Sequence, residues 1–285
     1  MKQYRNYLLM FSAALALVFA ACQKENQIDP INPDTNDTVP TVDTIPADPA
    51  RALTGLFSVS ESGQVRFAQG NLQYVNGEWC NAQQQYDFLS IFSDQAWDHF
   101  GWSTNTTNFG MRTSDSDNNY AGEYVEWGRV FGNNSPWRTL TAVEWVYLRY
   151  MRPDAYSLCG TGTIRMADGS AVAGCFFLPD NWVLPEGCTF NPTLGTLHTD
   201  YSHNVYSVAD GSWAAMQDAG AVFLPAAGSR RGYAINDVGT HGRYWAAPSD
   251  SYYIYYLYFT GRSIDCTNTF GPSYGNCVRL VVDND

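Results

Sequence analysis

The chain has 285 residues, of which 45% are hydrophobic, enough to bury a sizeable core. Its 28 acidic side chains outnumber the 16 Lys and Arg, for a net charge of −12. That balance argues against nucleic acid, whose binding relies on Lys and Arg neutralising phosphates.

The N-terminus reads as an export signal. Lys2 and Arg5 form a short basic region, and residues 7–19 are an apolar run too short to span a bilayer as a stable helix. Small residues follow, in Phe19-Ala20-Ala21-Cys22. This layout resembles a bacterial lipoprotein signal, with Phe19 where Leu is more usual, and it makes Cys22 the lipidated first residue of the mature chain. The stretch "CQKEN" resembles the export signal of Bacteroidota surface lipoproteins, although Glu25 is its only acidic residue. That resemblance implies a lipid-anchored protein on the outer membrane, facing the cell exterior and touching the membrane through its anchor alone.

Residues 23–52 read as a tether. The part from 26 to 50 is rich in Pro, Asp, Thr and Asn and has no aromatic residue, so it cannot bury enough apolar surface to offset its ordering entropy. "DTV" and "DTI" within it resemble the Bacteroidota O-glycosylation motif, which would modify Thr38 and Thr44. Asp-Thr pairs are also simply common in acidic linkers.

Residues 53–285 form the domain: an N-terminal hairpin and aromatic loops over 53–135, then the core over 136–285. Val65 and Phe67, then Leu72 and Tyr74, have strand spacing and predict a hairpin. "AWDHFGWST", residues 96–104, packs two Trp and a Phe around a Gly, as in a core beneath a long loop. Thr141 followed by Glu144 is a capping box, and Trp145 with Leu148 gives the helix a buried face. A second short helix fits residues 211–220, with Trp213 and Met216 inward and Gly220 ending it. "AVFLPAAGSRRG" reads as a buried strand leaving through a Gly turn, and "YYIYYLYF" and "NCVRLVV" as the last two strands. Segregated helices beside antiparallel strands mean an α+β fold.

Six cysteines follow Cys22, an even number that permits disulfides in an exported protein. Cys266 and Cys277 flank one short turn-rich segment and are the first choice for a pair. No CxxC or Cys/His cluster suggests zinc, so neither a metal site nor a cofactor is expected. "DSDNNYAGE", residues 115–123, has oxygens at alternating positions, but Tyr120 stands where a calcium loop needs Gly. His99, His198, His203 and His241 are scattered, and no Ser/His/Asp or paired-carboxylate arrangement follows from spacing. His241 sits in a Gly-rich turn and is expected to be exposed.

"FSVSESGQVRFAQGNLQY", "FGW", "WRTLTAVEWVYL", "FFLPDNWVLPEG", "AGAVFLPAAGSRRG", "GRYWAAP" and "YYLYF…GNCVRLV" follow one another in a particular order. The order resembles a large Bacteroidota surface-protein family related to the Fibrobacter succinogenes major paralogous domain. The likeness covers nearly all of residues 57–282. "AAP" at 246–248 and Cys277 depart from it, where "SST" and Ser are usual. It implies a C-type-lectin-like fold, related to formylglycine-generating enzymes and to retroelement variable proteins. The chemistry of those relatives does not come with it. The close C-terminal cysteine pair of the enzymes is missing. So is the lectin calcium set, because "LPD" at 178–180 lacks the first polar ligand.

The densest feature is residues 252–258, which hold five tyrosines in seven positions. In a strand, Tyr253, Tyr255, Leu257 and Phe259 share one side and should pack inward, while Tyr252, Ile254, Tyr256 and Tyr258 share the other and should be more exposed. Tyrosine gives a large amphipathic contact at low entropic cost, though β-rich cores also favour it. Asp250, Tyr252, Tyr256, Tyr258, Arg262, Asn268 and Tyr274 are therefore the candidate ligand-binding residues. The expected role is ligand binding at the cell surface without catalysis, toward a host protein, a glycan or another cell. A glycan-active enzyme and a purely structural surface domain are the alternatives.

Overall fold

The computed structural model describes residues 52–102, 109–110, 124–192, 200–248, 253–269, 271 and 273–284. Cys22, Thr38 and Thr44 lie outside the described residues, as do Asp250, Tyr252, His198 and the acidic loop at 115–123. The fold is mixed α+β, with several small sheets and two short helices.

β1 (Phe57–Ser58) pairs with β2 (Gln64–Phe67), but β2 does not turn back onto β3 (Leu72–Val75). The expected hairpin over these segments is not formed. The backbone N–H groups of Ala68 and Leu72 donate instead to Leu280 and Val278, so the chain runs on beside the C-terminal strand. Gly70 permits the passage, because a Cβ there would strike the carbonyl of Ala82. The hairpin forms one strand later. β3 pairs with β4 (Glu78–Asn81) through Asn76 and Gly77, both at positive φ, as a two-residue turn matching the strand twist requires. β5 (Ala96–Trp97) closes this three-stranded sheet.

β6 (Arg138–Thr139) leads into α1 (Ala142–Val146), which continues as one π-helical turn over Tyr147–Met151. The predicted capping box is present: the Glu144 N–H donates to Thr141 Oγ1 at 3.2 Å and the Thr141 N–H to Glu144 Oε2 at 2.8 Å. Trp145 and Leu148 are buried as predicted. β7 (Cys159–Arg165) and β8 (Ala171–Phe177) form the longest antiparallel pair, and β9 (Val205–Ser207) joins β7 in parallel. α2 (Ser212–Asp218) buries Trp213 and Met216 and ends at Gly220, whose φ is +95°.

β10 (Val222–Pro225) pairs with β8, and β11 (Ser229–Arg231) forms a hairpin with β12 (Ala234–Asn236). β13 (Gly242–Trp245), β14 (Tyr255–Phe259) and β15 (Ile264–Thr269) make the three-stranded C-terminal sheet. The chain ends in β16 (Leu280–Asp283), inserted between β2 and β6. The first and last strands of the domain thus share a sheet.

Three apolar clusters fill the interior. The main one gathers Phe57, Phe67, Trp145, Phe177, Leu257 and Phe259. A second is built from Trp97, Phe100, Trp102, Trp127, Trp245 and Tyr256. The third lies around Phe176, Trp213 and Phe223. The aromatic loop expected over 96–104 supplies the second cluster. Arg279 runs between them, buried, and donates to Asn71 Oδ1 and the carbonyls of Ala68, Gln69, Gln85 and Phe223. Burial pulls this guanidinium down to about 10, still far enough above neutrality to leave it charged.

Cys266 and Cys277 are both free thiols, so the expected bond between them is absent. The sheet explains why. Cys277 bridges Tyr244 on β13, Tyr244 pairs with Leu257 on β14, and Cys266 lies in the β15 bulge beyond Leu257. Three interstrand spacings put the two cysteines roughly 14 Å apart, against a limit of about 7 Å between bridged Cα atoms.

Candidate ligand face and a buried donor cluster

The C-terminal sheet has two different faces. Tyr244, Leu257, Phe259, Ile264 and Cys266 point into the main core. Arg243 and Trp245 on β13, Tyr256 and Tyr258 on β14, and Asp265 and Asn268 on β15 share the opposite face through direct register. The alternation read from the sequence therefore places Tyr258 and Tyr256 together, with ring centroids 6.2 Å apart.

Exposure along this face is graded. Tyr256 is only 6% exposed, contrary to expectation, because Trp245 packs edge-on to it and Trp102 covers Trp245. The second aromatic cluster thus roofs one end of the sheet. Tyr258, at the other end, is half-buried and stacks on His241, with ring centroids 5.6 Å apart and planes 30° apart. Arg243 lies over the Tyr258 ring at 5.5 Å and donates to Ser229 Oγ and through both terminal nitrogens to Asp237 Oδ2. Ser229 and Arg231 alternate onto one side of β11, and Arg231 covers the Tyr274 ring at 4.8 Å. His241, Tyr258, Arg243, Arg231 and Tyr274 thereby form one row of rings and guanidinium groups across adjoining strands.

The remaining candidates lie off this row. Arg262 is exposed at the tip of the β14–β15 turn. Asn268 pairs with Tyr256 in register, and its buried Nδ2 has no hydrogen-bond partner. Tyr253 is 59% exposed although it was expected to face inward, because β14 begins two residues later.

Burial raises the hydroxyl pKa of Tyr256 and of Tyr258 above the usual phenol value, with Arg243 opposing both shifts. Burial lowers His241 below the usual imidazole value, and Asp237 pulls it back up. At neutral pH the Tyr258 and His241 rings are therefore neutral beside the Arg243 guanidinium, which Asp237 pairs. His241 is more enclosed than the predicted exposed turn residue, since its ring is sandwiched onto Tyr258.

The structure also assembles a cluster that spacing did not reveal. Asp98, His99 and Cys277 bring one donor atom each within 4.8 Å of one another, and all three residues are buried. His99 Nδ1 is 2.9 Å from Asp98 Oδ1, yet neither atom has a hydrogen-bond partner. Asp98 is positioned through its other oxygen by the Leu89 N–H at 2.8 Å and the Gln73 amide. Burial and the Asp98 carboxylate together push the Cys277 thiol well up. His99 follows Trp97 closely and Cys277 lies far along the chain, so only the tertiary fold joins them.

Among the described residues, no helix is long and apolar enough to cross a membrane. No family model, no curated protein and no solved structure matches the chain.

Proposed function

We propose that the chain is a surface-displayed, ligand-binding lipoprotein domain of C-type-lectin-like fold. The reading rests on one observation: the half-open row His241–Tyr258–Arg243–Arg231–Tyr274, anchored on a rigid sheet. Aromatic rings and arginine are the side chains that dominate binding interfaces. Rings beside guanidinium groups suit flat, polar-rimmed ligands such as sugar rings or exposed loops of another protein. Asp250 and Tyr252, which lie outside the described residues, stay in the proposed binding set on their sequence position alone.

In this account Cys22 carries the lipid, residues 23–52 hold the domain away from the outer membrane, and Thr38 and Thr44 are glycosylated. The Asp98–His99–Cys277 cluster does not favour an enzyme. Each member is at most 1% exposed, and His99 Nε2 is engaged by the Ala227 carbonyl, so a substrate has no approach to it. Display is tested by globomycin and by protease treatment of intact cells. The expected results are an uncleaved precursor with globomycin and release of the domain by external protease. Normal processing of a Cys22→Ala variant, or full protection in intact cells, would contradict the reading. Binding is tested by probing glycan and host-protein arrays with the domain.

A further inference from the structure

We propose that Asp98 Oδ1, His99 Nδ1 and Cys277 Sγ form an interior site for one divalent transition-metal ion of the zinc class.

The argument starts from the hydrogen bond on the other side of the imidazole. His99 Nε2 lies 2.9 Å from the Ala227 carbonyl oxygen. A carbonyl only accepts, so Nε2 carries a proton. In the neutral ring, Nδ1 is then a bare lone pair. Nδ1 lies 2.9 Å from Asp98 Oδ1 with no hydrogen bond joining them, in a place where His99 is 1% and Asp98 0% exposed. Two acceptors do not rest against each other in a dry interior, because each would forfeit its solvation with no return. A positive centre between them removes the conflict.

Cys277 points to a metal rather than a proton. Its sulfur converges on the same space, within 4.8 Å of a ring nitrogen of His99 and a carboxylate oxygen of Asp98. A shared proton needs only the nitrogen and the oxygen. Sulfur, imidazole nitrogen and carboxylate oxygen together are a donor set that zinc-class ions take, at about 2.3, 2.0 and 2.0–2.2 Å. Charge closes as well: thiolate and carboxylate contribute two negative charges against a dication, leaving a neutral buried unit. Metal–ligand lengths near 2 Å and tetrahedral angles put the nitrogen and oxygen about 3.3–3.4 Å apart. The two atoms would part by about 0.5 Å on binding.

The surroundings already orient each ligand. The Ala227 carbonyl fixes the imidazole, and the Leu89 N–H and Gln73 amide fix the carboxylate. The backbone of Cys277 is clamped on β13, donating to Arg243 and accepting from Trp245. Since all three ligands are buried, the ion would enter during folding, tying the loop after β5 to the segment before β16.

The test uses the mature chain, unfolded with a chelator and a reductant, then refolded with cobalt(II), with zinc(II) or with no metal. The expected result is one metal per folded chain after gel filtration. A near-ultraviolet thiolate-to-cobalt band should accompany it and be lost in Cys277→Ser. Metal at ~100 times its Kd should raise the thermal midpoint by about 5–10 °C, and His99→Leu should abolish that increment. The proposal is overturned if the wild type refolds with native circular dichroism and no stoichiometric metal, in which case a proton fills the gap. It is equally overturned if the cobalt spectrum is the same in Cys277→Ser. The wild-type measurement decides even where a variant fails to fold.

Discussion

Arg279→Met should remove a heavily bonded buried side chain. The guanidinium is 1% exposed, and no carboxylate pairs with it among the described residues; five acceptor oxygens solvate it. Three of the bonds are 3.2 Å or shorter, to Asn71, Ala68 and Phe223. A hydrogen bond to a charged group contributes about 1.5–3 kcal/mol net of desolvation. Taking the lower figure for those three and nothing for the two longer bonds gives a loss of about 4–5 kcal/mol. Relief of the buried charge is already inside that net figure, so the stranded acceptors decide the sign. Domains are stable by about 5–15 kcal/mol, so Met at this position brings the chain near its limit. The thermal midpoint should fall by about 10–20 °C, at about 2–4 °C per kcal/mol for a domain of this size. Arg279→Lys keeps the charge and some of the donors and should fall between Met and wild type. Thermal unfolding followed by circular dichroism reads both. A Met variant within about 3 °C of wild type would show that the guanidinium contributes nothing net and refute the reasoning.

Thr141→Ala should cost about 1 kcal/mol by removing one half of the capping box, read as a midpoint drop of about 2–4 °C; no change would mean that Glu144, also held by Arg138, fixes the helix start alone. Iodoacetamide should label Cys80 and Cys188 in the native protein and Cys159, Cys175, Cys266 and Cys277 only after unfolding, since the first two are half-buried and the rest buried; resistance of Cys266 and Cys277 even when unfolded without reductant would restore a disulfide. His241 should titrate below the usual imidazole value by NMR, because burial disfavours its charged form. The unfolded chain then takes up the proton first, so this contribution to stability is complete above about pH 6.5 and is lost as pH falls through the lowered folded value; an acid-limb slope unchanged in His241→Asn would contradict that assignment.

Helix caps and strand alternation are legible in the sequence, and strand partners are not. The capping box at Thr141 and Glu144, the inward Trp213 and Met216, and the Gly220 stop are each written within a few residues. The alternation of the tyrosine strand was legible for the same reason. Pairing partners were not: β2 takes β16 rather than β3, because two backbone N–H groups find carbonyls at the far end of the chain. Tyr256 reads as a surface residue until Trp102 and Trp245, from different parts of the chain, are laid over it. The Asp98–His99–Cys277 cluster is invisible to spacing arguments, since no local motif holds its third member.

The most direct test of the central claim compares three proteins on the same glycan and host-protein arrays: wild type, a Tyr258→Ala/Arg231→Ala/Tyr274→Ala face variant, and an off-face Val183→Ser control at a 77% exposed position. The account predicts that wild type and control bind the same array component with equal affinity and that the face variant, still folded by circular dichroism, loses it by at least about tenfold, or about 1.4 kcal/mol. Undiminished binding by the face variant would place the site elsewhere and reduce the tyrosine sheet to scaffold.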